Sequence, residues 1–136
     1  MVILGIDFGD RRIGLAKSDP MGMLASGLDT FVWKDDMSLP VAHIVELVKQ
    51  YNIGRIVLGM PRNMDGSYGS RAEVTRKFAD AIREVLDIDI VYWDERLTTA
   101  SAMITLKEQG RKASKDKGAV DRAAACHILQ SYLDIK

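Results

Sequence analysis

The sequence predicts an α/β domain: a mixed five-stranded sheet, three antiparallel strands followed by two parallel ones, with helices on both faces. Two observations carry that reading. The first 33 residues hold three short apolar runs joined by tight turns, and short loops of that kind connect antiparallel neighbours. From residue 38 onward, helical stripes alternate with short apolar runs, the rhythm of strand–helix–strand crossovers in a parallel sheet. A third observation sets the scale. At 136 residues and 47% hydrophobic composition, with no repeat, low-complexity stretch or linker, the chain reads as one domain over 1–136.

Each element has its own warrant. VILGIDFG (2–9) is almost wholly apolar, as expected of a strand covered on both faces. A tight turn leads into RIGLAKSD (12–19). Asp19-Pro20-Met21-Gly22 is a strong turn signal, and LASGLDTFVW (24–33) returns as the third strand. Ser38 is placed to cap a helix on which Val41, Ile44, Val45 and Val48 form one stripe. RIVLGMP (55–61) is a short strand closed by Gly and Pro, and PRNMDGSYGSR (61–71) is a polar loop. Val74, Phe78, Ala81, Ile82 and Val85 predict a second helical stripe, and DIVYWDE (89–95) a fifth strand. A helix is expected from Thr98 or Thr99 to Gly110, then a loop, RKASKDKG, then a last helix over about 119–133. The order βββ-α-β-α-β-α-α matches the ribonuclease H-like fold.

Composition narrows the function classes. Lys and Arg number 19, as do Asp and Glu, so the net charge is zero. That balance argues against strong non-specific nucleic-acid binding by the whole surface, because phosphate neutralisation drives such affinity. It leaves room for a basic face opposite an acidic pocket, supplied by Arg11, Arg12, Arg62, Arg71 and the run RKASKDK (111–117). No apolar run approaches membrane-spanning length, and the apolar start lacks a basic leader, so a strand is expected there. The lone Cys126, in an Ala-rich helix, reads as core filler and fits a reducing cytoplasm.

Three carboxylate positions stand out. Asp7 shares one strand face with Ile3 and Gly5, and a charge on a covered strand needs a partner. It can also cap the turn that follows. Asp121 falls with Ala124, Ala125 and Ile128 on one helical face, the apolar one, in the expected first turn, where the helix N-terminus favours a negative charge. Asp94 and Glu95 end the fifth strand and point to opposite faces, so at most one looks into a site on a given face. Carboxylates that converge repel unless a cation holds them, and such hard oxygen donors favour Mg²⁺ or Mn²⁺ over zinc. No Cys/His cluster serves zinc, and His43 and His127 read as structural or solvated. Two such metals, about 3.5–4 Å apart, can hold both oxygens of an in-line phosphoryl transfer without a side-chain nucleophile.

Four stretches together, GIDFGDRRIGLAKSD (5–19), GMPRNMDGS (59–67), DERLTT (94–99) and KGAVDRAAACHILQSYL (117–133), resemble the YqgF (RuvX) family over essentially the whole chain. These are small bacterial proteins assigned to Holliday junction resolution or to pre-16S rRNA processing. The resemblance implies a ribonuclease H-like fold and metal-dependent phosphodiester hydrolysis, with Mg²⁺ or Mn²⁺ as cofactor. Asp7, Glu95 and Asp121 match the family's acids and are implied as catalytic metal ligands. Arg96 and Thr98 would support the site or contact phosphate, and Arg11, Arg12, Arg62 and Arg71 would touch the nucleic-acid backbone. The implied partners are precursor rRNA or branched DNA and ribosomal particles, with no membrane, the chain acting as a monomer or weak homodimer.

One departure bears on the site. In the wider superfamily the strand after the first helix carries the second acid beside strand one, whereas RIVLGMP has none. The second acid must then come from the next strand, farther out. Two other classes follow from the same residues. Asp-x-Gly at a strand end also serves nucleotide-binding domains of the actin and hexokinase kind, which enclose ATP between two such domains. The displaced second acid and zero net charge fit a non-catalytic nucleic-acid or ribosome-assembly module.

Overall fold

The structure, a computed structural model, describes residues 1–61, 68–95 and 117–135. Its elements are β1 (Val2–Phe8), β2 (Arg12–Ser18), β3 (Ala25–Val32), α1 (Ser38–Tyr51), β4 (Ile53–Met60), α2 (Ser70–Val85), β5 (Asp89–Asp94) and α3 (Lys117–Ile135). The helix expected between Thr98 and Gly110 lies outside the described residues, as do Arg62, Arg96, Thr98 and positions 111–116 of the basic run.

The five strands form one sheet in the order β3-β2-β1-β4-β5. β1 pairs antiparallel with β2 and β2 with β3, while β4 runs parallel to both β1 and β5. This is the expected mixed sheet, with β1 at its centre. The β2–β3 turn is organised by Asp19, whose carboxylate accepts backbone N–H bonds from Leu24 (2.8 Å), Met23 (2.8 Å) and Met21 (3.2 Å). Those bonds hold its pKa below the ordinary carboxylate value, since they favour the charged form. Gly22, at φ 70°, supplies the left-handed residue that the turn needs.

Side-chain alternation divides the sheet into two faces. Leu4, Ile6 and Phe8 of β1, Ile13 and Leu15 of β2, and Ile56 and Leu58 of β4 face α1 and α2. Phe78 of α2 is fully buried and stacks on Phe8 at 4.5 Å. Ile3, Ala16 and Val57 face the other way, beneath Ala125, Ile128, Leu129, Tyr132 and Leu133 of α3. Arg55 ties the far end together, donating to Asp89 of β5 and to the Tyr132 hydroxyl of α3, each at 2.8 Å.

Three expectations about helices need correction. Ser38 opens α1 but does not cap it. Asp36 does that work, accepting from the Ser38 backbone N–H at 3.0 Å and from its hydroxyl at 2.6 Å. On α1 the residues that go inside are Pro40, Val41, Ile44 and Leu47, with Val45 and Val48 half-buried. On α2 the buried stripe is Ala72, Thr75, Phe78, Ala79 and Ile82, so Val74 and Val85 are exposed. Thr75 tolerates burial because its hydroxyl donates to the Arg71 carbonyl one turn back, at 2.8 Å. That local satisfaction lets a polar residue occupy the core face and turns Val74 outward.

Candidate active site

Asp7 is nine-tenths buried at the centre of the sheet, on the α3 face. Its two lateral neighbours are both glycines. On β2 its register partner is Gly14. On β4 the register runs Gly5 beside Val57 and Ile6 beside Leu58, so one step on Asp7 stands beside Gly59. The row Gly14–Asp7–Gly59 therefore offers one side chain, a carboxylate, between two bare stretches of backbone.

Each bare stretch is covered by another candidate acid. A Cβ on Gly14 would overlap the main-chain carbonyl of Asp121, so α3 lies directly on β2 at that point. Asp121 itself is fully buried. The described residues of α3 begin at Lys117, which puts Asp121 in the second turn rather than the expected first. A Cβ on Gly59 would lie 2.9 Å from Glu95 Oε1 and 2.7 Å from Ile128 Cδ1. Glu95 follows the last residue of β5, yet its carboxylate reaches back over β4.

This geometry resolves the choice between Asp94 and Glu95. Trp93 pairs with Gly59 and Asp94 with Met60. The Trp93 ring packs against α3, its Nε1 donating to Ser131 at 3.2 Å. Alternation then turns Asp94 to the α1/α2 face and Glu95 to the α3 face. The three acids Asp7, Glu95 and Asp121 share one face at the C-terminal ends of β1, β4 and β5.

Cations rim that end. Arg11 lies on the β1–β2 turn and Arg12 opens β2, four and five residues after Asp7, and Arg71 lies in the first turn of α2. Beside Arg71, the half-exposed Tyr68 ring carries the Arg76 guanidinium at 4.5 Å. His43 stacks on Phe31 and meets Asp29 Oδ2 at 2.7 Å, fastening α1 to β3, and His127 is exposed. Cys126 is partly buried, and burial pushes its thiol pKa up.

The donor set fits a hard divalent cation in kind, being carboxylate oxygen throughout. The glycine floor lets Asp121 and Glu95 approach the sheet on either side of Asp7, where side chains would otherwise stand. Among the described residues, no three His, Cys, Asp or Glu side chains are drawn together as a finished ligand set. Sequence reasoning singled out the acids but passed over Gly14 and Gly59. The available signal was a glycine inside an apolar strand, which marks a close approach of another group.

The chain is similar to known proteins over its whole length. The profile of the family described as "RuvX: Holliday junction resolvase" matches residues 1–135. A protein of Acetivibrio thermocellus named "Putative pre-16S rRNA nuclease" is 48% identical over 137 residues, covering 100% of this chain and 97% of its own length. One of the same name from Ruminiclostridium cellulolyticum is 49% identical over 134 residues, covering 98% and 94%. Among solved structures, Thermus thermophilus RuvC in complex with a Holliday junction substrate superposes with a TM-score of 0.61 at 15% identity, over 99% of this chain and 96% of that one. The fowlpox virus resolvase bound to Holliday junction DNA gives 0.56 at 13% identity, over 99% and 98%. At such identities the likeness establishes the resolvase-type, ribonuclease H-like fold.

Proposed function

The chain belongs to the RuvX family, and from that premise we propose that it is a metal-dependent endonuclease that processes the 5′ end of pre-16S rRNA. The observation that carries the chemistry is the row of acids on one sheet face, with glycine on both sides of Asp7. The named relatives supply the substrate, precursor rRNA, free or within a ribosomal particle. We assign the protein to the cytoplasm, as a monomer or weak homodimer. Among the described residues no helix is long and apolar enough to cross a membrane.

Asp7, Glu95 and Asp121 are the residues that would hold Mg²⁺ or Mn²⁺. When bound, such a cation supplies Lewis acidity at the phosphodiester and makes water a better nucleophile near neutral pH. The protein's own part is positional. Asp7 anchors the centre, Asp121 is fixed by close packing of α3 on β2, and Glu95 also orients the attacking water. Arg11, Arg12 and Arg71 neutralise flanking phosphates, since guanidinium donors match phosphate oxygens. Arg62, Arg96 and Thr98 take the same backbone-contact role by family likeness.

A second reading is resolution of branched DNA, favoured by the match to a family described as a Holliday junction resolvase. It needs two symmetric cuts and hence two copies of the chain. One experiment separates the readings. End-labelled precursor-rRNA fragments and a synthetic four-way DNA junction are incubated with Mg²⁺, Mn²⁺ or chelator, using wild type, Asp7→Asn and Asp121→Asn. Metal-dependent cutting of the RNA, lost in both variants, is the expected result. Cutting of the junction alone transfers the function to DNA. No cutting of either, with all three proteins binding RNA alike, refutes the nuclease reading.

A further inference from the structure

The acid that this chain lacks on β4 has a physical substitute. At the position beside Asp7, β4 carries Gly59, and Glu95 lies one strand farther out, just past the end of the edge strand β5. The space that a side chain on Gly59 would fill is bordered by the Glu95 carboxylate, with Oε1 at 2.9 Å and Cγ at 3.4 Å from a Cβ built there. The nearest neighbour of all is Ile128 Cδ1 at 2.7 Å. Neighbouring strands are spaced about 4.8 Å apart. A glutamate is long enough to cross that interval only if the strand beneath it presents no side chain.

We propose that Gly59 is a positioning residue: its missing side chain lets the Glu95 carboxylate fold back over β4 and stand in for the absent acid beside Asp7. This inference rests on the reading of Asp7, Glu95 and Asp121 as metal ligands. It makes two demands. Any side chain at position 59 displaces the carboxylate, and a carboxylate grafted onto position 59 replaces it. Both obstructing atoms, Glu95 Oε1 and Ile128 Cδ1, are side-chain ends rather than backbone, so the first change is taken up by side-chain shifts, at a packing cost set by the fully buried Ile128. A purely structural glycine behaves in the opposite way, losing stability before function.

The test uses the full chain and Mn²⁺ alone, with binding measured by titration in the absence of nucleic acid and cutting measured separately. Gly59→Ala is expected to stay folded and melt somewhat below the wild type in chelator, to bind Mn²⁺ at least tenfold more weakly, and to cut correspondingly slowly. Gly59→Ala in an Ile128→Val background separates the two neighbours, since valine lacks Cδ1. Mn²⁺ binding should stay weak there if Glu95 is the group displaced. Gly59→Asp combined with Glu95→Ala is expected to bind Mn²⁺ at least tenfold more tightly than Glu95→Ala alone. Wild-type Mn²⁺ affinity in Gly59→Ala overturns the proposal, as does full recovery in the Ile128→Val background. A wild type that binds Mn²⁺ but cuts nothing refutes the nuclease reading, while the Gly59 series still decides this one. A wild type that binds no Mn²⁺ overturns both.

Discussion

The closeness of α3 to the sheet predicts a matched pair of substitutions. A Cβ on Gly5 of β1 would meet Leu129 Cβ at 2.7 Å and the Ala125 carbonyl at 3.2 Å. A Cβ on Gly54 of β4 would meet Met1 Cγ, also at 2.7 Å. The distances are equal but the obstacles are not. Leu129 Cβ and the Ala125 carbonyl are fixed to the backbone of α3, whereas Met1 is 62% exposed and free to swing aside. Neither glycine has a positive φ, so alanine suits both backbones.

In Gly5→Ala, restoring ordinary contact of about 3.4 Å to an atom now at 2.7 Å requires α3 to lift by roughly 0.7 Å. Overpacking of this kind costs about 1–3 kcal/mol, partly offset by about 0.4–1 kcal/mol from a less disordered unfolded chain. The net loss is about 1–2 kcal/mol. For 136 residues at roughly 2.1 cal/mol/K each, the unfolding entropy near Tm is about 0.29 kcal/mol/K. The midpoint should then fall by about 4–7 °C. Gly54→Ala should stay within about 2 °C of wild type, with any change upward. Thermal melts followed by circular dichroism read both. Nuclease activity should fall in Gly5→Ala beyond its stability loss, because lifting α3 also draws Asp121 away from Asp7. Equal midpoints for the two variants would refute the argument that α3 is held on the sheet by backbone-deep contact.

Other expectations can be checked alongside. Asp7→Asn should abolish stabilisation by Mn²⁺, which for a wild type at one hundred times Kd amounts to about 2.7 kcal/mol; retained stabilisation in a melt with and without the ion counts against Asp7 as a ligand. Phe78→Ala, at a fully buried ring stacked on Phe8, should cost about 3–5 kcal/mol in denaturant unfolding. Asp19 has a folded pKa below its ordinary value, so its stabilising effect is present above the ordinary carboxylate range and fades as pH falls through the folded pKa. The difference in midpoint between wild type and Asp19→Asn should therefore close on acidification, and a pH-independent difference would contradict the turn bonding. The raised thiol pKa of Cys126 predicts slower alkylation than a free thiol at pH 8, since the thiolate is the nucleophile.

Asp7 and Asp121 could be singled out in the chain because each breaks a periodic pattern. Asp7 interrupts an apolar strand and Asp121 an apolar helix stripe, and a charge in such a place has few explanations. The antiparallel-then-parallel sheet was equally legible, since loop length and hydrophobic period distinguish hairpins from crossovers. Details set by competition between neighbours were not. Ser38 and Asp36 both suit a helix start, and their order in space gave the role to Asp36. Val74 is more apolar than Thr75, yet the Thr75 hydroxyl found a partner one turn back and took the buried place.

The site divides along the same line. Sequence by itself determined which groups carry charge, which strand and helix faces hold Asp7 and Asp121, and that β4 offers no acid. Only the tertiary structure decided that the Glu95 carboxylate lies over Gly59 of β4. Side-chain alternation is a local property of a strand and is written in the residue order. The reach of a carboxylate across a neighbouring strand depends on what that neighbour omits. A glycine's empty space acquires meaning only when register sets Gly59 beside Asp7 and beneath Glu95.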